Sequence, residues 1–265
     1  MSTCQPYRTR LCTIPRLLQH SLVFLSYLAL SLALTWPLAK APAQCLPLGA
    51  EPAATVPLLN LWTIWWNVDR LGHGYRDYWQ APIYHPADDV FAFSEPQPAV
   101  GWFALPLWHL LPTPASVYNV LLWLFLTLNG WFSFVVLRRC RLAWHVAAVG
   151  GAFVVMLPMV RLQLGVFQLV SLWGVAATVW ALLEFQRVPN WRRALLVGIA
   201  FAVTYLLCCY HGLFLSVLLL GAAPWLFGRR LWQSRFWAPA ALAVCTAGLL
   251  VAPVVTTQLR VSKER

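Results

Sequence analysis

Charge is what this sequence has least of: charged residues fill 10% of its 265 positions, with eight Asp and Glu against 19 Lys and Arg. A soluble domain carries about 25%. That deficit excludes a water-soluble globular domain, and equally a disordered chain, which needs charge to stay solvated. The net charge of +11 reflects the scarcity of acids, because the cations are dispersed in small groups. A basic nucleic-acid-binding surface is therefore excluded as well. Seven cysteines are present (Cys4, Cys12, Cys45, Cys140, Cys208, Cys209 and Cys245), none in C-x-x-C spacing. They offer neither a disulfide framework nor a zinc site. Glycine-rich phosphate loops and nucleophile-elbow motifs are missing too. What remains is a chain that is 60% hydrophobic, with a mean hydropathy of +0.66. Its sixteen tryptophans are amphipathic rings suited to the two faces of a bilayer. This is the composition of a membrane protein.

Uncharged runs cover 17–39, 96–137, 142–160, 162–183, 194–228 and 236–259. A span needs about 20 apolar residues, so four of the runs read as single helices. Topology decides the two longest. Basic groups occur at Arg8/Arg10/Arg16, Arg138/Arg139/Arg141, Arg187/Arg192/Arg193 and Arg229/Arg230/Arg235, whereas segment 40–95 holds six of the eight acids. With the basic groups on the cytoplasmic side and the acidic loop outside, run 96–137 crosses an odd number of times. Pro106, Pro112 and Pro114 break its first part, which leaves Ser116–Leu137 as the span and 98–112 as a surface or re-entrant helix. Run 194–228 joins two inside groups and crosses twice, turning at Cys208-Cys209-Tyr210-His211-Gly212. The expectation is an all-α polytopic protein of about seven spans. It comprises a cytoplasmic segment 1–19, a first span 20–39, an external loop 40–97, a helical bundle 98–257 and a tail 258–265. A signal peptide ending at Ala41-Pro42-Ala43 is the rival reading of the first span. The uncharged run of 23 residues exceeds the usual signal core of about 7–15, which favours a retained helix.

The external loop is long enough to need a function. Its start, with Pro42, Pro47, Pro52 and Pro57, reads as an extended linker. An amphipathic helix over 57–71 follows, lying in the interface plane. At about 100° per residue, Asn60, Thr63, Asn67 and Arg70 share one stripe about 80° wide, opposite Leu58, Leu61, Trp62, Trp65 and Trp66. Asp69 falls amid the tryptophans unless the helix has already ended. Further on, Asp88 and Asp89 beside Pro86 make a solvated turn, and His85 reads as a loop histidine. Glu95 is the last charge before 42 uncharged residues, so it sits at the membrane edge, where a carboxylate tends to be paired or functional.

Several segments together resemble a family of bacterial multi-spanning membrane proteins. They are Pro57-Leu58-Leu59-Asn60-Leu61-Trp62 with Trp65-Trp66, Ala81-Pro82-Ile83-Tyr84-His85-Pro86, Phe93-Ser94-Glu95, Tyr118-Asn119, Gln168-Leu169-Val170-Ser171-Leu172-Trp173, and Tyr210 to Phe214. The likeness covers roughly residues 20–227. That family is usually placed near the GT-C glycosyltransferases, relatives of protein O-mannosyltransferases and lipid A aminoarabinose transferases. The resemblance implies a protein of the bacterial plasma membrane that transfers a sugar from a polyprenyl-phosphate donor at the external face. Such chemistry needs a carboxylate to activate the acceptor and cations to hold the leaving phosphate. Glu95 is the first candidate carboxylate and Glu51 the second. Asn60, Asn67, Arg70, Arg76, His85 and Arg161 are the candidate substrate contacts, although Arg161, at an outward turn, reads more simply as interfacial snorkelling. No cofactor is implied for certain, and a divalent metal stays open. Membrane lipids and the lipid-linked donor are the expected partners.

This sequence departs from the family pattern at two positions. Val56 stands where the family usually has an acid directly before Pro-Leu-Leu-Asn. Val166 stands shortly before the Gln-Leu stretch, where a histidine is usual. Family members also commonly continue past the length seen here. These departures fit a truncated or degenerate member, so the rival reading is a non-catalytic membrane protein with a structural or scaffold role. A transporter ranks last, because the uncharged runs contain no ionisable group of the kind that marks an ion path.

Overall fold

A computed structural model describes residues 15–50 and 55–264. All regular structure among them is helical: α1 (Arg16–Leu34), α2 (Thr55–Gly72), α3 (Pro98–Leu110), α4 (Pro114–Arg139), α5 (Trp144–Val155), α6 (Pro158–Leu162), α7 (Trp173–Arg187), α8 (Trp191–Leu207), α9 (Cys209–Phe227) and α10 (Ser234–Lys263), with three short 3-10 turns. Five stretches are long and apolar enough to cross a bilayer: Arg16–Leu34, Pro114–Arg139, Trp144–Leu162, Cys209–Trp232 and Ser234–Lys263. Helices α7 and α8, of 15 and 17 residues, extend about 22 and 26 Å. Both fall short of a hydrocarbon core of about 30 Å.

Local chemistry sets the helix ends. Thr113 caps α4 by accepting from the Ser116 N–H, with Pro114 at the first helical position, where its missing N–H costs nothing. Asn190 caps α8 in the same way, accepting from the Arg193 N–H at 3.0 Å. Helix α3 ends at Leu110, just before Pro112 and Pro114. The break between α8 and α9 falls at Cys208, inside the expected hairpin turn.

Run 162–183 is not one helix. Residues 163–172 form turns, and only Trp173 onward is helical. Side-chain amides from other helices explain the difference, because they take up carbonyls that a helix would use internally. Asn129 donates to the Val170 carbonyl at 2.7 Å and Asn60 to that of Gly165 at 3.4 Å. Non-helical backbone at membrane depth survives only where protein surrounds it, and Leu164, Gly165, Phe167 and Val170 are buried.

Helix α4 is the hub, packing against α1, α5 and α7, while α8 packs against α7 and α10. Between helices in lipid the attraction is close packing rather than hydrophobic burial. Phe103, Phe125 and Trp173 meet pairwise with centroids 5.5–5.6 Å apart, and Phe167 lies 5.3 Å from Phe125. Near the middle of α4, a Cβ on Gly151 would collide with the Tyr27 hydroxyl and come within 2.5 Å of the Gly130 carbonyl oxygen. Glycine at that position is what lets α1, α4 and α5 come together.

Contacts between helix ends sort the basic groups from the acidic loop. At one end His20 meets Phe134 at 5.2 Å, and Glu184 contacts both Arg139 and Arg193. Phe185, Phe227 and Phe236 cluster at the same end. At the opposite end Asn119 donates to the carbonyls of Pro42 and Cys45, both at 2.8 Å. There Arg260 pairs with Asp89, and Glu95 meets the start of α9.

Candidate functional site

The helix expected at 57–71 runs from Thr55 to Gly72, but its polar stripe faces inward. Asn60, Thr63 and Asn67 are buried, as is Trp66, while Trp65 is exposed. The stripe is therefore not an open site wall. Its amides are consumed in fastening α2 to the segments around it, because a buried amide left without partners is costly. Asn67 donates to the Pro96 carbonyl at 2.6 Å and accepts from the Tyr78 hydroxyl at 2.7 Å. Burial holds the Tyr78 phenol well above its ordinary pKa, so it remains a donor. Gln97 donates to the Asn60 amide oxygen at 3.2 Å. Gln97 itself sits at φ +50°, a left-handed backbone that is rare outside glycine. Gly101 allows the close approach of α3, since a Cβ there would lie 2.9 Å from that of Asn67.

This knot seats Glu95. The residue is 8% exposed. Its Oε1 accepts from the Tyr210 N–H at 3.1 Å and from the Cys208 thiol at 3.5 Å, whereas Oε2 has no hydrogen-bond partner among the described residues. Burial pushes the Glu95 carboxyl above its usual range, and the Tyr210 N–H and Cys208 thiol offset part of that rise. The carboxylate thus joins the acidic loop to the turn between α8 and α9, 115 residues further along the chain. Close by, Gln258 of α10 reaches the Ser94 carbonyl at 3.4 Å.

The other candidates disperse. Arg70 is engaged with Asp69 at 2.7 Å through Nε and lies over the Trp66 ring at 4.6 Å. Helix α2 continues past Asp69, whose carboxylate is paired with Arg70. Arg76, His85 and Arg161 are exposed. None of the contacts made by Glu95 involves them, so the structure does not gather them into one site. Glu51 lies outside the described residues. No group of three or more His, Cys, Asp or Glu among the described residues could hold a metal ion.

Residue-by-residue reading of the sequence missed Tyr78, Gln97, Cys208 and His211. His211 is half-buried beside the Ser171 backbone. The sequence signals for it were the placement of 208–212 at a turn and its place within the Tyr210 to Phe214 segment of the resemblance. Arg161 lines a separate cleft of about 510 Å³ between the Thr35–Leu38 turn, the 45–50 strap and Leu162–Leu164. Glu95 does not line that cleft. Comparison of the chain with protein-family models, curated proteins and solved structures finds no match.

Proposed function

We propose that this chain is a seven-pass protein of the bacterial plasma membrane, N-terminus cytoplasmic, and a GT-C-like glycosyltransferase homologue. Its donor is a polyprenyl-phosphate-linked sugar, and transfer takes place at the external end of the bundle. The seven passes rest on the alternation of segment ends: the unwound stretch 163–172 together with α7 leads from Leu162, bonded to Ala50 of the loop, to Glu184 at the basic end, and α8 returns to the loop end at Glu95. For the transferase reading, the observation that carries it is Glu95. It is a carboxylate held near the bilayer edge with one oxygen unpartnered among the described residues and with its proton affinity raised by burial. Those are the properties of a group able to take a proton from an acceptor hydroxyl.

The closure of the same carboxylate favours a second reading, a non-catalytic homologue with a structural or scaffold role. Tyr210 and Cys208 sit directly on Oε1 and Oε2 is buried too, so an acceptor reaches Glu95 only if the packing around it opens. Release of radiolabelled sugar from a panel of polyprenyl-phosphate donors, in membranes with and without EDTA, separates the two readings. Turnover by the unmodified chain that disappears in Glu95→Gln supports the transferase. Turnover retained in that variant removes Glu95 from the chemistry. Silence on every donor, including in Val56→Asp, leaves the scaffold reading standing.

A further inference from the structure

We infer that the cleft lined by Arg161 is a binding site for one anionic phospholipid, with the phosphate on Arg161 and an acyl chain along the apolar wall of the cleft. The inference needs only a membrane location and is independent of the transferase reading. The cleft, at about 510 Å³, falls within the range of about 300–1,000 Å³ typical of ligand sites. Its walls are mainly apolar, from Leu34, Leu38, Leu46, Pro47 and Leu164, and Arg161 is the only charged residue lining it among the described residues. A sugar would find almost no hydroxyl partners here. Of the polar side chains, Thr35 already donates to the Ser31 carbonyl at 2.9 Å and accepts from the Trp123 indole at 2.8 Å.

Two further features point to a lipid. The rim is exposed and apolar: Trp36, Leu48 and Leu162 are 54–60% exposed, as suits a mouth open to acyl chains rather than to water. At the mouth the charged side chains among the described residues are positive. The Arg161 guanidinium has no ion-pair partner among the described residues, and Lys40 lies 4.9 Å from the Trp36 ring that forms part of the wall. A guanidinium forks onto two phosphate oxygens, and a second cation nearby favours a head group of net negative charge over a zwitterion.

The test is a native mass spectrometry titration of the full-length chain in non-ionic detergent. Phosphatidylglycerol and phosphatidylcholine of the same acyl chains are the lipids, with inorganic phosphate as competitor. Phosphatidylglycerol should bind as a single copy, about tenfold more tightly than phosphatidylcholine. Arg161→Gln should remove that preference, about tenfold being the low end of what a charge-assisted hydrogen bond contributes. Leu48→Trp keeps the cation and fills the cleft, so it should weaken both lipids alike. Both side chains are exposed, and an unchanged melting temperature without added lipid verifies each fold. Equal affinity for the two lipids, an unaltered preference in Arg161→Gln, or undiminished binding in Leu48→Trp would overturn the assignment. So would full displacement by millimolar inorganic phosphate, which would make this a head-group site without a chain.

Discussion

Glu95→Gln keeps the shape of a buried side chain and removes its charge. Glutamine still offers a carbonyl oxygen to the Tyr210 N–H, so the link between the loop and the α8–α9 turn survives. The amide NH2 takes the place of the unpartnered oxygen, so a buried polar atom without a partner remains; what disappears is the further cost of its charge at 8% exposure, on the order of 1 kcal/mol. At about 2–4 °C per kcal/mol for a chain of this length, the variant should melt roughly 2–4 °C higher at alkaline pH. The sign of the pH dependence follows from the raised pKa. In the window between the ordinary carboxylate value and the raised one, the folded state holds a proton that the unfolded state has lost. Stability of the unmodified chain therefore falls as pH rises through that window. Below it both states are protonated, and the chain and its glutamine variant should melt together. The assay is tryptophan fluorescence during thermal unfolding in detergent, scanned upward from about pH 4, close to the ordinary carboxylate value. A glutamine variant less stable than the parent at every pH would refute the reasoning, because Glu95 would then be stabilised by charge in the fold.

Three other outcomes are expected. Gly151→Ala puts a methyl group against the Tyr27 hydroxyl and the Gly130 carbonyl and should cost about 1–3 kcal/mol as overpacking, read in the same melts. Glu184→Gln leaves Arg139 and Arg193 facing each other, each 19–30% exposed. It should cost on the order of 2 kcal/mol, below the roughly 3–5 kcal/mol of a fully buried pair, and a loss smaller than about 0.5 kcal/mol, the size of an exposed pair, would contradict it. In a Cys-free background, Asp88→Cys should react with an impermeant maleimide from outside intact cells. Cys140 restored alone, and Asn190→Cys, should react only after permeabilisation; external labelling at 190 would overturn the path proposed for α7 and α8.

Composition and the spacing of charges were enough to establish a helical membrane protein, because a bilayer-sized uncharged run has few other uses. Proline fixed the break before α4, and the polar cluster at 208–212 marked the α8–α9 turn. Periodicity also located α2 but left open whether its tryptophans face lipid or the bundle. Lipid and the inside of a bundle are both apolar, so a stripe of Asn60, Thr63 and Asn67 can be buried as readily as exposed. Only packing against Pro96, Gln97 and Gly165 shows that it is buried. The unwinding of 163–172 was hidden for a related reason, since the amides that hold it open belong to α2 and α4. The contact of Glu95 with Tyr210 spans 115 residues, and no local pattern records a pairing made at that distance. Sequence thus determined the solvent and the elements, which depend on each residue's own chemistry. Tertiary structure decided which polar atoms are spent on one another and which are left free.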